Sequence, residues 1–240
     1  MDKHICYFNL VDALKMEGCP ICRLSQRSLE RFFDNLLYEN VNDPWIRRRI
    51  RKSLGFCKQH STELIKAAKR AGDNLGIAII YEDMLSAARA DLEKIDPLQA
   101  RNSLFRLVSR KKPVSKAVLS ELLLLGRNCL ACEHQRLTED SYIFTLNQFL
   151  TDTMFMGLFV ESDGLCLLHL REALAAGDSM KAAHYLLETE KEKVEHLLGE
   201  LRELIRKHDY RFSLEPLGRE RDSWLRAVRK TTGGIPKSDK

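Results

Sequence analysis

An all-α fold is predicted by three observations on this sequence. Apolar residues recur at helical spacing and nowhere form a convincing strand alternation. Gly and Pro are few, at 12 and 6 in 240 residues. Helix start and stop residues flank the periodic stretches. The apolar share of 44% and charged share of 30% are those of a globular chain long enough to bury a core.

The elements follow in order. Helices are predicted near 5–17, 20–40, 43–54, 57–71 and 74–95. Leu29, Phe32, Phe33, Leu36 and Leu37 make one stripe, and Ile77, Ile80, Tyr81, Met84, Leu85, Ala88 and Leu92 make another. Asp43 before Pro44 reads as an N-cap with proline at the first helical position. Gly55 and Gly164 read as helix-ending C′ residues, where a left-handed backbone costs glycine little. A basic connector, 96–113, is expected to hold a short helix around 98–110. Further helices are predicted near 114–126, 130–150, 152–162, 166–176 and 179–208, the last with the stripe Val194, Leu197, Leu198, Leu201, Leu204 and Ile205. Most of that segment, 188–206, has the mixed charge of an exposed amphipathic helix. A terminal helix near 218–231 and a frayed polar end, 231–240, complete the map.

The cysteines are the strongest signal. Cys19 and Cys22 recur as Cys129 and Cys132, and Cys57 and His60 recur as Cys166 and His169. The offsets are 110 and 109 residues, and only Cys6 of the seven cysteines falls outside the pattern. The surroundings recur as well: Asn42-Asp43-Pro44 against Thr151-Asp152-Thr153, and Ala-Gly-Asp at 71–73 against 176–178. The sequence thus reads as two helical pseudo-repeats of about 110 residues. The expected division is a first metal-binding repeat at 1–95, the connector at 96–113, a second repeat at 114–208, and a C-terminal helix with tail at 209–240.

A Cys-x-x-Cys pair with a Cys-x-x-His pair supplies three thiolates and one imidazole, the donor set of tetrahedral zinc. Residues at i and i+3 at a helix start point the same way, so each pair grips one ion. The preferred arrangement joins pairs within a repeat: Cys19, Cys22, Cys57 and His60 at one site, Cys129, Cys132, Cys166 and His169 at the other. Each repeat is then stapled by a Cys₃His site, with 34 or 33 residues making a two-helix excursion between the pairs. An exchange of pairs between repeats is the alternative. Two Zn²⁺ ions are the expected cofactors; an iron–sulfur cluster is less favoured because such clusters usually take four Cys. A redox dithiol at Cys19-Pro20-Ile21-Cys22 lacks the strand–helix setting of that chemistry and leaves the second pair unexplained. Four ligands close each site, so the metals are expected to be structural. His134 is read as an ordinary polar helix residue and Cys6 as a small core residue.

Arg47, Arg48, Arg49, Arg51 and Lys52 are candidate anion contacts on one short helix; the plainer reading is a solvated face. Residues 1–112 carry 21 Lys/Arg against 14 Asp/Glu, and the remainder carries 18 against 20. The matching segment of the second repeat, 154–159, is apolar and is read as core or as a surface for a partner or a second copy. No P-loop, Rossmann glycine pattern, Gly-x-Ser-x-Gly or His-Glu-x-x-His is present, so nothing argues for an enzyme. No run of about 18 uncharged apolar residues suggests a membrane span, and the first residues do not read as a signal peptide. A cytoplasmic protein with reduced thiols is expected. The leading function is a zinc-binding helical scaffold or adaptor for another protein. Nucleic-acid binding through 47–52 and redox or metal handling are the alternatives.

The segments Cys19-Pro20-Ile21-Cys22, 37–44, Gly55-Phe56-Cys57-Lys58-Gln59-His60, Cys129-Leu130-Ala131-Cys132, Gly164-Leu165-Cys166-Leu167-Leu168-His169, 207–212 and the stretch around Trp224 carry a resemblance. Along nearly its whole length the chain is similar to an uncharacterised bacterial family, domain-of-unknown-function number 6062. The resemblance implies a shared architecture and brings no activity. Asp209, Tyr210 and Arg211 are expected to brace the C-terminal helix against the bundle.

Overall fold

A computed structural model describes residues 3–72, 74–93, 128–212 and 214–234. The expected helices at 98–110 and 114–126, and the last six residues of the tail, lie outside the described residues. Ten α-helices are found among those described, and no strand. They are α1 (Ile5–Leu14), α2 (Pro20–Tyr38), α3 (Pro44–Lys52), α4 (Lys58–Ala71) and α5 (Leu75–Glu93), then α6 (Leu130–Phe149), α7 (Thr153–Glu161), α8 (Leu167–Ala176), α9 (Met180–Lys207) and α10 (Ser223–Thr232). Short 3₁₀ turns at Tyr210–Phe212 and Arg219–Asp222 lie between α9 and α10. No single described helix is long and apolar enough to cross a membrane.

Side-chain caps set several starts. Asp43 accepts from the Ile46 amide at 2.8 Å, and Asp152 accepts from the Phe155 amide at 2.9 Å. Helix ends differ from the expectation. After α3 it is Leu54, with φ 50°, that takes the left-handed C′ position. Gly55 comes one residue later, and its amide reaches back to the Ile50 carbonyl at 2.9 Å. After α7 the C-cap Ser162 is extended, and Gly164 turns at φ 72° two residues on. An added Cβ there would collide with the Glu190 carboxylate, so close packing dictates this glycine.

The chain forms two compact units, one of Met1–Ser28 with Arg136–Lys240 and the other of Leu29–Gln135. These limits differ from the expected divisions at 95, 113 and 208. The first unit packs Tyr7, Leu10, Ile21, Leu146, Phe149, Phe155 and Phe159 together. The rings of Tyr7 and Phe149 lie 4.5 Å apart. The apolar α7 therefore points Phe155 and Phe159 into a core, while Met154 and Val160 stay exposed. The second unit gathers Leu29, Phe33, Leu36, Ile50, Phe56, Leu64 and Ile80. Burying each such side chain contributes roughly 1.5–3 kcal/mol.

Three elements depart from the sequence expectation. The buried residues of α9 are Ala182, Leu186, Thr189 and Glu190, whereas Leu198 and Ile205 on the expected stripe are exposed. Cys6 is half-buried and stands outside the core cluster. Asp209 and Arg211 pair with each other at 2.6 Å, and Tyr210 is exposed. The bracing of the C-terminal region comes instead from Lys207 on Glu220 (2.6 Å), Arg226 on Glu200 (2.5 Å) and Lys230 on Glu190 (2.5 Å).

Candidate metal centres

Two groups of Cys and His converge. Cys19, Cys22, Cys166 and His169 form the first cluster, in the first unit; Cys57, His60, Cys129 and Cys132 form the second, in the other unit. Every ligand pair sits on the first turn of a helix. The carbonyls of Cys19, Cys57, Cys129 and Cys166 accept the first intrahelical bond of α2, α4, α6 and α8, at 2.8–3.2 Å. Each is thus the N-cap residue, with its partner ligand at N3. The side chains of Cys57 and Cys166 make no cap hydrogen bond, which leaves their sulfurs for the cluster. Two helix N-termini face each group of thiols and favour negative charge there.

The distances suit a tetrahedral ion. Zinc bonds to sulfur and nitrogen place ligand sulfurs about 3.8 Å apart and sulfur and nitrogen about 3.6 Å apart. In the first cluster Cys22 and Cys166 are 3.8 Å apart, and His169 Nδ1 lies 3.5, 3.4 and 3.2 Å from Cys19, Cys22 and Cys166. In the second, Cys57 and Cys132 are 3.7 Å apart, and His60 Nδ1 lies 3.3, 3.5 and 3.2 Å from Cys57, Cys129 and Cys132. Both histidines present Nδ1, and each cluster is a Cys₃His set that could hold a metal ion.

The pairing corrects the sequence expectation. Each cluster joins the Cys-x-x-Cys of one expected repeat to the Cys-x-x-His of the other. Helix lengths give the reason. The 19 residues of α2 carry the chain about 28 Å onward at 1.5 Å per residue, and the nine of α3 span only about 13 Å. A nine-residue helix is too short to retrace the length of α2. The 20-residue α6 and nine-residue α7 stand in the same relation between Cys132 and Cys166.

Without metal, each cluster gathers thiolate charge around its histidine. Burial opposes the charge on His169, but Cys166, Cys22 and Glu139 push its pKa up to about 12. His60 rises to about 9, against burial, through Cys129, Gln135 and Cys57. Burial likewise opposes the Cys129 thiolate, yet His60 and nearby amides bring its pKa down to about 6. Desolvation, and then the charge of Cys129, push Cys132 up to about 12. A metal ion would take over the charge balance that the imidazolium supplies, releasing protons as it binds.

The surroundings of the clusters differ. His169 Nε2 faces Glu139 at 3.7 Å and Glu172 at 4.0 Å, and Glu139 is itself held by Ser25 at 2.7 Å. His60 Nε2 meets the amide oxygen of Gln135 at 2.9 Å. At the first cluster the Asp163 carboxylate accepts from the Gly18 amide at 2.7 Å, tying together the two ligand loops. Glu190, only 2% exposed, accepts from the Leu165 amide at 2.6 Å and from Lys230. Beyond α10 the chain lies against the sulfurs. The Gly234 amide points at Cys22 Sγ from 3.3 Å, and a Cβ on Gly233 would stand 3.1 Å from the same sulfur. The second cluster has Met84 behind Gly55, with its sulfur 3.0 Å from where a Cβ would be.

These supporting residues were not legible in the sequence. Glu190 lies in a mixed-charge helix that reads as exposed, and 231–234 reads as frayed. Only the Gly233-Gly234 doublet, a mark of close approach, hints at its setting. The basic run is largely engaged: Arg47 and Arg51 share Asp83 at 3.3 and 3.4 Å, and Arg49 pairs with Glu133 and covers the Trp45 ring. Among the described residues, Arg48 and Lys52 are the members of the run with no acidic partner within 4 Å. His134 stacks on Phe32 at 4.8 Å and stands outside the ligand groups.

A family of unknown function, DUF6062, has a model that matches residues 1–238. A protein of Caldicellulosiruptor sp. (strain Rt8B.4), described as an uncharacterized 23.9 kDa protein in the xynA 3′ region, is 31% identical over 204 residues. The match covers 84% of this chain and 88% of that protein. No solved structure matches.

Proposed function

We propose that this chain, which belongs to the family of unknown function DUF6062, is a cytoplasmic, non-enzymatic scaffold or adaptor held together by two structural Zn²⁺ ions. The observation that carries the reading is the donor set: four ligands per cluster, at tetrahedral spacing, with no position left for water or substrate. When bound, each metal supplies a cross-link between two helix N-termini. The chain's own contribution is to aim the sulfurs, fix the histidine tautomer from behind and hold the ligand loops. Structural zinc of this type binds with roughly 10–16 kcal/mol of apparent free energy, a scale that decides whether a unit stays folded. The two sets of corresponding helix starts fit duplication of one helical unit. Another protein is the partner this reading implies, or a second copy of the chain, with exposed Phe144 and Met180 among its apolar contacts.

Elemental analysis of the purified full chain tests the metal. Two zinc equivalents per chain are expected. Iron with sulfide, or much less than two equivalents of zinc, overturns the reading.

A further inference from the structure

Building on that metal reading, we infer that the two sites divide their labour: the Cys57–His60–Cys129–Cys132 site exchanges its metal with thiol-bearing acceptors through Cys132, and the Cys19–Cys22–Cys166–His169 site retains its metal. Access separates them first. Cys132 is exposed and Cys57 half-buried, whereas in the first cluster Cys19, Cys166 and His169 are all buried. The remaining first-cluster ligand, half-buried Cys22, is the one the chain itself covers. Gly233 and Gly234 lie on its sulfur, and the Gly234 amide can donate to the thiolate.

The cover is anchored. Lys230, one turn before Gly233, binds the Asp163 carbonyl and the Glu190 carboxylate, and so holds the loop that leads into Cys166 directly at Asp163 and through Glu190 at Leu165. No such segment caps Cys132 among the described residues. A cavity of about 780 Å³ does border Cys19 and Cys166. Those residues are only 6% and 1% exposed, so the cavity borders them but leaves little of either open. The support behind the histidines differs in the same sense. A carboxylate behind a ligating imidazole raises its basicity more than a neutral amide does. Glu139 stands behind the retained metal as a charge 3.7 Å from His169, and Gln135 stands behind the exchanging one as a neutral acceptor 2.9 Å from His60.

The exchange step is a ligand substitution with no oxidant. An acceptor thiol loses its proton and forms a sulfur–zinc bond while the Cys132–zinc bond breaks. The Cys132 thiolate takes up the proton, and repetition at the other ligands moves the ion to the acceptor.

The test follows zinc release from the full chain, purified with its metal, into the chromophoric chelator 4-(2-pyridylazo)resorcinol with glutathione present. Two phases of one equivalent each are expected, differing in rate by about 10-fold or more. Limited alkylation with iodoacetamide, read by mass spectrometry, should mark Cys132 and Cys57 during the fast phase and Cys19, Cys22 and Cys166 only later. Removing residues 233–240 should bring the slow phase close to the fast one and leave the fast one unchanged. Equal rates for both ions, or early alkylation of Cys22, would overturn the division of labour while leaving the two-zinc reading intact. A starting preparation with less than two zinc equivalents fails at the metal reading itself, before any exchange is measured.

Discussion

The clusters offer the same donors from the same helix positions and differ in what stands behind them. Around Cys166 the chain has built a network: Asp163 on Gly18, Glu190 on Leu165, Lys230 on Glu190, and the Gly233-Gly234 turn on Cys22. Around Cys57 the corresponding turn is backed by the Met84 thioether and by Ser53, whose hydroxyl donates to the Gly55 carbonyl at 2.7 Å. One Cys₃His set can thus be supported by charge and covered, or supported by apolar packing and left open. On the proposed reading, the ligand motif sets the metal chemistry and the surrounding contacts set access and strength.

The largest effect expected from breaking this contrast is at Lys230. Lys230→Met takes from the 2%-exposed Glu190 its hydrogen-bonded cation and leaves it only the Lys193 charge nearby, which costs up to about 3–5 kcal/mol by the measure of broken buried pairs. Urea unfolding should show the loss in the unit that holds the first cluster, and its metal should then leave faster. An unchanged midpoint would mean that the Leu165 amide and the Lys193 charge satisfy Glu190 without Lys230.

A smaller effect is expected behind the histidines. Glu139→Ala should weaken metal binding at the first cluster by about 10–100-fold, with the second cluster unmoved. Gln135→Ala should act only on the second, and less strongly. Competition titrations with a chelator measure both, and matching losses from the two variants would erase the proposed difference in support.

The smallest effect concerns the anchor of α10. Lys207, and then the Gly218 amide, hold the Glu220 carboxyl down at about 2. A folded pKa below the ordinary value of 4.5 means that the stabilisation is fully present above about pH 4.5. It fades as the pH falls toward 2. The difference in urea midpoint between the wild type and Glu220→Gln should follow that course, with Trp224 fluorescence as the probe. A difference that stays constant from pH 6 to pH 3 would show that this ion pair does not anchor the helix.

Much of the fold was legible in the sequence because helix periodicity and capping are local. Asp43-Pro44 marked the start of α3, and the Leu29–Phe33–Leu36 stripe marked the buried face of α2. The eight candidate ligands stand out locally, since each pair is an N-cap and N3 couple within one helical turn. Their combination was not, because it depends on where helices of unequal length carry the chain. The predicted lengths, about 20 residues before Asn42 and about a dozen after it, held the signal that the pairs cross. The covering role of 231–234 was hidden more deeply. Two threonines and two glycines read as an end that frays, and only Lys230 on the buried Glu190 explains why they settle on Cys22.

The crossing of the ligand pairs is the claim on which the rest stands, and two double variants measured by native mass spectrometry test it directly. With crossed pairs, Cys19→Ser with Cys166→Ser damages one site and leaves one zinc bound, at the other. Cys19→Ser with Cys57→Ser damages both and leaves none. The reverse result, no zinc in the first double variant and one in the second, would contradict the account by showing that each Cys-x-x-Cys binds metal with the Cys-x-x-His that follows it in sequence.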